Sequence, residues 1–383
     1  MGITAIADGA FAGMVNLTFL DLNSNSLNSI SHGDLKDLIS LKTLNLRSNK
    51  LAQLYNGTFQ GLSLLESLSL AYNSLSFIEA GAFQGLSSVQ SLSLESNSLS
   101  AIRSGTFKGL SQLRVLDVSS NILGDLTAVG AFSDMPELRT LNMGGQRSSR
   151  WHFGNGTFSG NFSKLTSLTL SILGAWKIIE YSGGGTSRSI VELGAFDALT
   201  GLETLDLHEG QLDVLPAGLF LQCRSLKTLN LYYNLLSTIA DYTFAGLRSL
   251  EYLSLSKNRG LRTITEHTFA GLEDSLSSLR LFDNRITSIS SKAFNGFKRL
   301  SWIELNYNLL SVFPLNVFMF ANEPAYLSSG LRVDLEGNPL VCKPGTSSKI
   351  LLTGAGSALP SCPSEVSFAD QFHLLFSKCM QCF

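Results

Sequence analysis

Five histidines and five cysteines are the residues of this 383-residue chain best suited to proton transfer, nucleophilic attack or metal binding. His32, His152, His208, His267 and His373 are scattered, and no pair shows the H-x-x-x-H or H-E-x-x-H spacing that aims two imidazoles at one metal. Cys379 and Cys382 form a C-x-x-C pair that could join Cys362 and His373 around zinc, but a second closely spaced ligand pair is missing. The glycine run Gly183–Gly185 is followed by Thr186, Ser187 and Arg188 in place of the Lys-Ser/Thr of a phosphate loop, so it reads as a flexible loop. These residue types in this arrangement point to no catalytic residue, no resident metal and no cofactor.

Composition narrows the partners. With 44% hydrophobic and 15% charged residues the chain can bury a large core, although a chain of this length ordinarily divides into several domains. A net charge of −2 gives no basic field for nucleic acid or an anionic membrane. No stretch reaches the roughly 18 consecutive apolar residues of a membrane-crossing helix. The most apolar window, residues 309–321, is interrupted by Pro314 and Asn316. The opening MGITAIADGAF lacks the basic and apolar regions of a secretory signal.

The elements that must position any functional group are announced by a repeated phrase. SLSLAYNSLSFIEAGAFQGLSSV, from Ser67 to Val89, returns 24 residues later as SLSLESNSLSAIRSGTFKGLSQL. Written as LxxLxLxxN, its last slot falls at Asn25, Asn49, Asn73, Asn97 and Asn121, then at Gln146, Leu173 and Gly210, then at Asn234, Asn258, Asn284, Asn308 and Asn338, which makes 13 units. Phe59, Phe83, Phe107, Phe220, Phe244, Phe294 and Phe318 follow ten residues after their slots, mostly in the phrase F-x-G-L, and Leu35 takes that place in the second unit.

The alternation in LxL sends two leucines to one face, so each unit is one short strand. A single strand cannot bury its leucines, but units stacked at ~4.8 Å form a parallel sheet whose leucines and phenylalanines fill one continuous core. An asparagine amide, donor and acceptor together, can satisfy the backbone groups that a tight turn leaves unpaired.

The phrase resembles the leucine-rich repeat in the 24-residue form typical of Toll-like receptors, Slit-like proteins and lamprey variable lymphocyte receptors. The resemblance implies an α/β solenoid, a curved horseshoe with a parallel β-sheet on its concave face and loops or short helical turns on its convex face. It assigns residues 1–340 to the solenoid, irregular around 144–195, and residues 341–383 to a cysteine-containing C-terminal cap. NPLVC, ending at Cys342, and then Cys362, Cys379 and Cys382 resemble the cap of extracellular members, where disulfides are expected. That cap usually shows C-x-C where this chain has Lys343 and Pro344 after Cys342, so the pairing stays open among three connectivities, with zinc as the alternative. Cys223, three residues after Phe220, is expected to be a core thiol. ITAIADGAFAG reads as the second half of a unit, so Ile3, Ile6 and Phe11 are expected to face an open end, better explained by an incomplete start than by a native edge. Asn16, Asn56, Asn155 and Asn161 open N-x-[ST] triplets suited to glycosylation in a secreted chain.

Function then falls to the exposed strand positions. In the first eight units these are small or polar, as in Ser67, Ser69, Ser91, Ser93, Ser167 and Thr169, with Phe19 the aromatic exception. Units nine to twelve place Tyr232, Tyr252, Phe282 and Trp302 there, with Arg280, Glu304 and, at strand ends, Tyr233 and Tyr307. Their spacing predicts one contiguous patch, either a ligand hot spot or a set of cross-strand pairs that stabilises the sheet. A second candidate is the broken middle, where the asparagine ladder is expected to fail at Gln146, Leu173 and Gly210. A 37-residue interval there carries Trp176, Lys177, Tyr181 and Arg188, near Arg150 and Trp151. Such an insertion binds a ligand or is only tolerated surface filling. The expectation is non-catalytic recognition of a protein or glycan at the cell surface or outside the cell, as part of a receptor or adhesion ectodomain, with no nucleic acid and no membrane insertion within this chain. An intracellular scaffold and a secreted enzyme inhibitor are the alternatives.

Overall fold

The computed structural model describes residues 2–124, 130–148, 152–154, 157, 158, 160, 162–172, 189–312, 331–340 and the backbone of 351–353. They fall into two compact units, Met1–Asp206 and Leu207–Phe383. In the first, the strands Phe19–Asp21, Thr43–Asn45, Ser67–Ser69, Ser91–Ser93, Val115–Asp117, Thr140–Gln146, Ser167–Ile172 and Thr204–Asp206 pair in that order, every pair parallel. The second pairs Thr228–Asn230, Tyr252–Ser254, Ser278–Arg280, Trp302–Glu304, Arg332–Asp334 and Leu351–Thr353 in the same way. This is the parallel-strand solenoid expected from the repeat. As the expected loops or short helical turns allow, helix is confined among the described residues to the single turn His32–Leu35, where the Asp34 carboxylate accepts the Ser31 N–H at 2.6 Å.

In-register pairing places like residues of successive repeats side by side, so Leu44 lies beside Leu68 and Leu68 beside Leu92, each at most 1% exposed. The phenylalanines do the same on the opposite side of the core. Phe59, Phe83, Phe107, Phe132 and Phe158 stack in sequence with ring centroids 5.9–6.2 Å apart. Phe220, Phe244, Phe269 and Phe294 repeat the stack at 5.7–6.4 Å. Phe132, Phe158 and Phe269 escape a fixed ten-residue count because their repeats are longer, yet all three are fully buried. Burying each ring stabilises the fold by roughly 1.5–3 kcal/mol. The glycine of F-x-G-L marks the close approach of neighbouring repeats, since a Cβ on Gly109 would sit 2.6 Å from the Phe83 carbonyl oxygen. Cys223 is buried in this core, as expected.

The asparagine ladder works as its chemistry suggests. The Asn97 amide donates to the carbonyls of Leu70 and Leu94, both at 3.0 Å, and its Oδ1 accepts the Leu75 N–H at 2.9 Å. Asn258 repeats the set on Leu231, Leu255 and Leu236 at 3.0, 2.8 and 3.1 Å. The ladder does not fail at Gln146, contrary to the sequence expectation. Its amide donates to Val118 and Met143 at 2.9 and 3.0 Å, because a bulge at Gly144 and Gly145 supplies one extra residue and the longer side chain spans it. Slot Leu173 lies outside the described residues. Asn284 is the partial exception, since the longer turn after Asn258 sends the Leu261 N–H back to the Asn258 carbonyl and Asn284 Oδ1 is left buried without a partner.

In the first repeat the core is less covered than further along the array. Ile3 is 49% exposed, while Ile6, Phe11 and Leu20 are half-buried, where Leu44 one strand further in is 1% exposed.

Candidate functional site

The residue before each asparagine turns the chain out of its strand. Tyr233, Lys257, Asp283 and Tyr307 all sit there with φ of 51–57°, the left-handed region that costs a non-glycine residue about 1 kcal/mol or more. The turn carries these side chains beyond the strand end. Behind them, rows of paired residues cross the outer face of the Leu207–Phe383 unit. Tyr252, Ser278, Trp302 and Arg332 form one row, and Ser254, Arg280, Glu304 and Asp334 the next. Tyr232 and Phe282 lie two residues past their strands, so they extend the strand face beyond its paired residues.

The side chains on this face form two groups of contacts, which adjoin at Arg280 of one strand and Phe282 two residues past it. In the first, Tyr232 and Phe282 approach to 6.1 Å between ring centroids, Tyr232 and Tyr233 to 6.0 Å. The fully buried Ser256 accepts the Phe282 N–H at 3.2 Å on its hydroxyl. The Lys257 ammonium lies 5.3 Å from the Tyr232 ring and 5.8 Å from the Tyr233 ring, within cation–π range. Its pKa is raised, first by the hydrogen bond to Tyr232. Beside it Arg259 pairs with Asp283 at 2.9 Å.

In the second group, the Arg280 guanidinium stands 5.3 Å over the Tyr252 ring, and its Nε is 3.6 Å from Glu304 Oε2. The other Glu304 oxygen accepts the Trp302 indole N–H at 3.0 Å. Tyr252, Arg280, Glu304 and Trp302 are thus one chain of contacts, all half-buried, with apolar ring area and charge both facing outward. Tyr307 is 54% exposed and packs against Gly337, where a Cβ would meet the ring at 2.6 Å. The arrangement offers contact area, hydrogen bonds and charge; among the described residues no group of three or more His, Cys, Asp or Glu could hold a metal.

Lys257, Arg259 and Asp283 complete the first group and escape a search for alternating strand residues, since they follow the turn. For Lys257 and Asp283 the signal is the slot before the asparagine, and Arg259 is the residue just after it. That slot also reveals Tyr72 in the Met1–Asp206 unit, 44% exposed under the Arg47 guanidinium at 4.1 Å, while Arg47 pairs with Glu95 at 3.4 Å. Phe19, the expected aromatic exception, is 58% exposed. Asn16 and Asn56 are exposed, and the Asn56 N–H donates to Glu79 at 2.9 Å, while Thr58 of the same triplet is buried. Arg150, Trp151, Trp176, Lys177, Tyr181, Arg188, Asn155, Asn161, Cys342, Cys362, Cys379 and Cys382 lie outside the described residues. No helix among the described residues is long and apolar enough to cross a membrane.

Comparison with known proteins gives one consistent result. The family described as "Leucine rich repeat" matches residues 2–51, 39–99, 87–147, 200–259 and 274–323, well over half of the chain. Leucine-rich repeat-containing protein 3B of human, mouse and cattle is 46% identical over 54 residues, which is 14% of this chain and 20% of that protein. The match thus spans about a fifth of the length of those relatives. Among solved structures, a chain of the Toll–Spatzle complex of Drosophila is similar over 92% of this chain and 52% of its own length, with TM-score 0.65 and 20% identity. An internalin of Listeria monocytogenes is similar over 90% of this chain and 88% of its own, with TM-score 0.59 and 18% identity. At these identities the likeness is one of fold.

Proposed function

The chain belongs to the leucine-rich repeat family, and from that premise we propose that it is a non-catalytic recognition module. Its outer strand face in the Leu207–Phe383 unit, centred on Tyr232, Tyr252, Arg280, Phe282 and Trp302, binds a protein or glycan ligand outside the cell or at its surface. Tyr233, Glu304 and Tyr307 frame that surface. The observation that carries this reading is the direct contact of Tyr232 with Phe282 over a buried serine, beside an arginine held on a second tyrosine. Cross-strand pairs that only stabilised the sheet would need neither rings left half-open to solvent nor charge held at their edge, and aromatic side chains with arginine dominate the energetics of protein interfaces. The extracellular setting rests on the exposed asparagines of the triplets at Asn16 and Asn56, on the resemblance of NPLVC and the three cysteines after it to an extracellular cap, and on the fold shared with Toll.

The test is a panel of purified secreted and cell-surface proteins and glycans, probed with the full chain and with F282A/W302A. A ligand held by the former and lost by the latter is expected. A ligand held equally by both removes the assignment of this face. Expression in secreting cells, followed by mass measurement of glycans and disulfides, tests the setting: an unmodified, reduced product speaks for the intracellular scaffold.

A further inference from the structure

The second group of the site ends in charge that no described residue balances. Glu304 and Asp334 are register partners on adjacent parallel strands, so their backbones lie about 4.8 Å apart across the sheet and their carboxylates share one face. Glu336, two residues on, joins them on the same face, and its backbone N–H donates to Asp334 Oδ1 at 3.0 Å. Like charges in directly paired positions destabilise a sheet. Glu304 is partly answered by Arg280 at 3.6 Å, longer than a hydrogen bond, and by the Trp302 indole. No guanidinium or ammonium among the described residues lies within ion-pairing distance of Asp334 or Glu336. Arg332, the nearest basic residue in sequence, sits on the Trp302 row and is exposed. The Asp334 pKa is raised by burial and by the neighbouring Glu336 and Glu304, as an unmatched cluster requires.

An acidic corner alone would be only a solvated patch, but here the half-buried Trp302 stands beside it, its indole N–H donating to Glu304 at 3.0 Å. A planar cation laid there gains a cation–π contact and a charge-assisted carboxylate contact together. We infer that this corner of the ligand face takes an arginine or lysine side chain from a protein partner, inserted beside Trp302 toward Glu304, Asp334 and Glu336. The inference rests on the proposed function and narrows it, since a neutral or acidic glycan offers no such group.

A phage-displayed random-peptide library selected on the full chain tests it, with D334N/E336Q, the amide triple E304Q/D334N/E336Q and F282A/W302A as comparisons. The amide variants keep the oxygens that accept from Trp302 and from the Glu336 N–H, so the fold is preserved; the double variant leaves the Glu304 contacts untouched. Selected peptides rich in Arg or Lys, whose affinity falls roughly tenfold on D334N/E336Q and steeply with salt, are the expected result. Neutral or acidic peptides lost on F282A/W302A but indifferent to the amide variants overturn this inference and leave the proposed function standing. Peptides indifferent to all three variants overturn both.

Discussion

Gln146 Oε1 accepts the Leu123 N–H at 3.0 Å, the bond that an asparagine makes in the regular repeats. The slot is delayed by one residue, Gly145 turns with φ of 64°, and the extra methylene of glutamine covers the difference. Shortening the side chain by Q146N is expected to strand the Leu123 N–H and the Val118 carbonyl in the core and to lower stability by about 2 kcal/mol. Q146N combined with deletion of Gly145 restores the 24-residue spacing and should recover most of that loss. Urea denaturation of the three chains decides it; a double variant no better than Q146N refutes the compensation.

The ladder should be worth more where water is excluded. Asn97 is 1% exposed and bonds inside the core, whereas Asn25 is only part-buried at the first strand. N97A is expected to cost about 3 kcal/mol and N25A under about 1 kcal/mol. Hydrogen exchange at Leu75, whose N–H donates to Asn97, should accelerate in N97A alone.

Phe107 is fully buried between Phe83 and Phe132, 6.2 Å from each. Truncation by F107A leaves a ring-sized void and should cost about 3–5 kcal/mol, read from the thermal melt.

Ligand affinity should follow the rings of one unit. F282A is expected to weaken the ligand by about 2 kcal/mol, roughly thirtyfold, because it also withdraws support from Tyr232. F19A, which removes an equally aromatic but isolated side chain, should leave affinity unchanged in the same titration.

The Asp334 carboxyl titrates above its ordinary value of 3.8. A group whose pKa is raised on folding favours the folded state when protonated, and this contribution is lost as pH rises through the raised value. At neutral pH the charged form therefore opposes folding. D334N should raise the melting temperature slightly at neutral pH and show no gain below the ordinary carboxylate pKa; a constant gain at every pH would exclude electrostatics as its cause.

Strand, core face and ladder were legible because each depends on residues within one repeat, where alternation and the asparagine slot fix direction. The aromatic face was legible for the same reason, since Tyr252, Arg280 and Trp302 occupy alternating strand positions. Lys257, Asp283 and Tyr72 were not, because a left-handed turn redirects their side chains and alternation ends there. Phe132 and Phe269 slipped past a fixed count where a turn lengthened. Glu304 stands four residues before Asn308 and Asp334 four before Asn338, so their pairing was already legible in the slots, even though that interval is lengthened to 30 residues.

Apart from Asn25 and Asn284, the described asparagines of the ladder reach backwards, each holding a carbonyl and an N–H of the repeat before it, as Asn73 holds Leu46 and Leu51. Mechanical load therefore meets a polarised lattice. Within either unit, peeling a repeat from its C-terminal side strips the staple from the repeat left behind and loosens it in turn. Peeling from the N-terminal side leaves the remaining repeats fully stapled, with one idle amide at the new edge. Tension applied through opposite ends should thus tear the same array in different ways, as a run from one side and in single, separately resisted steps from the other.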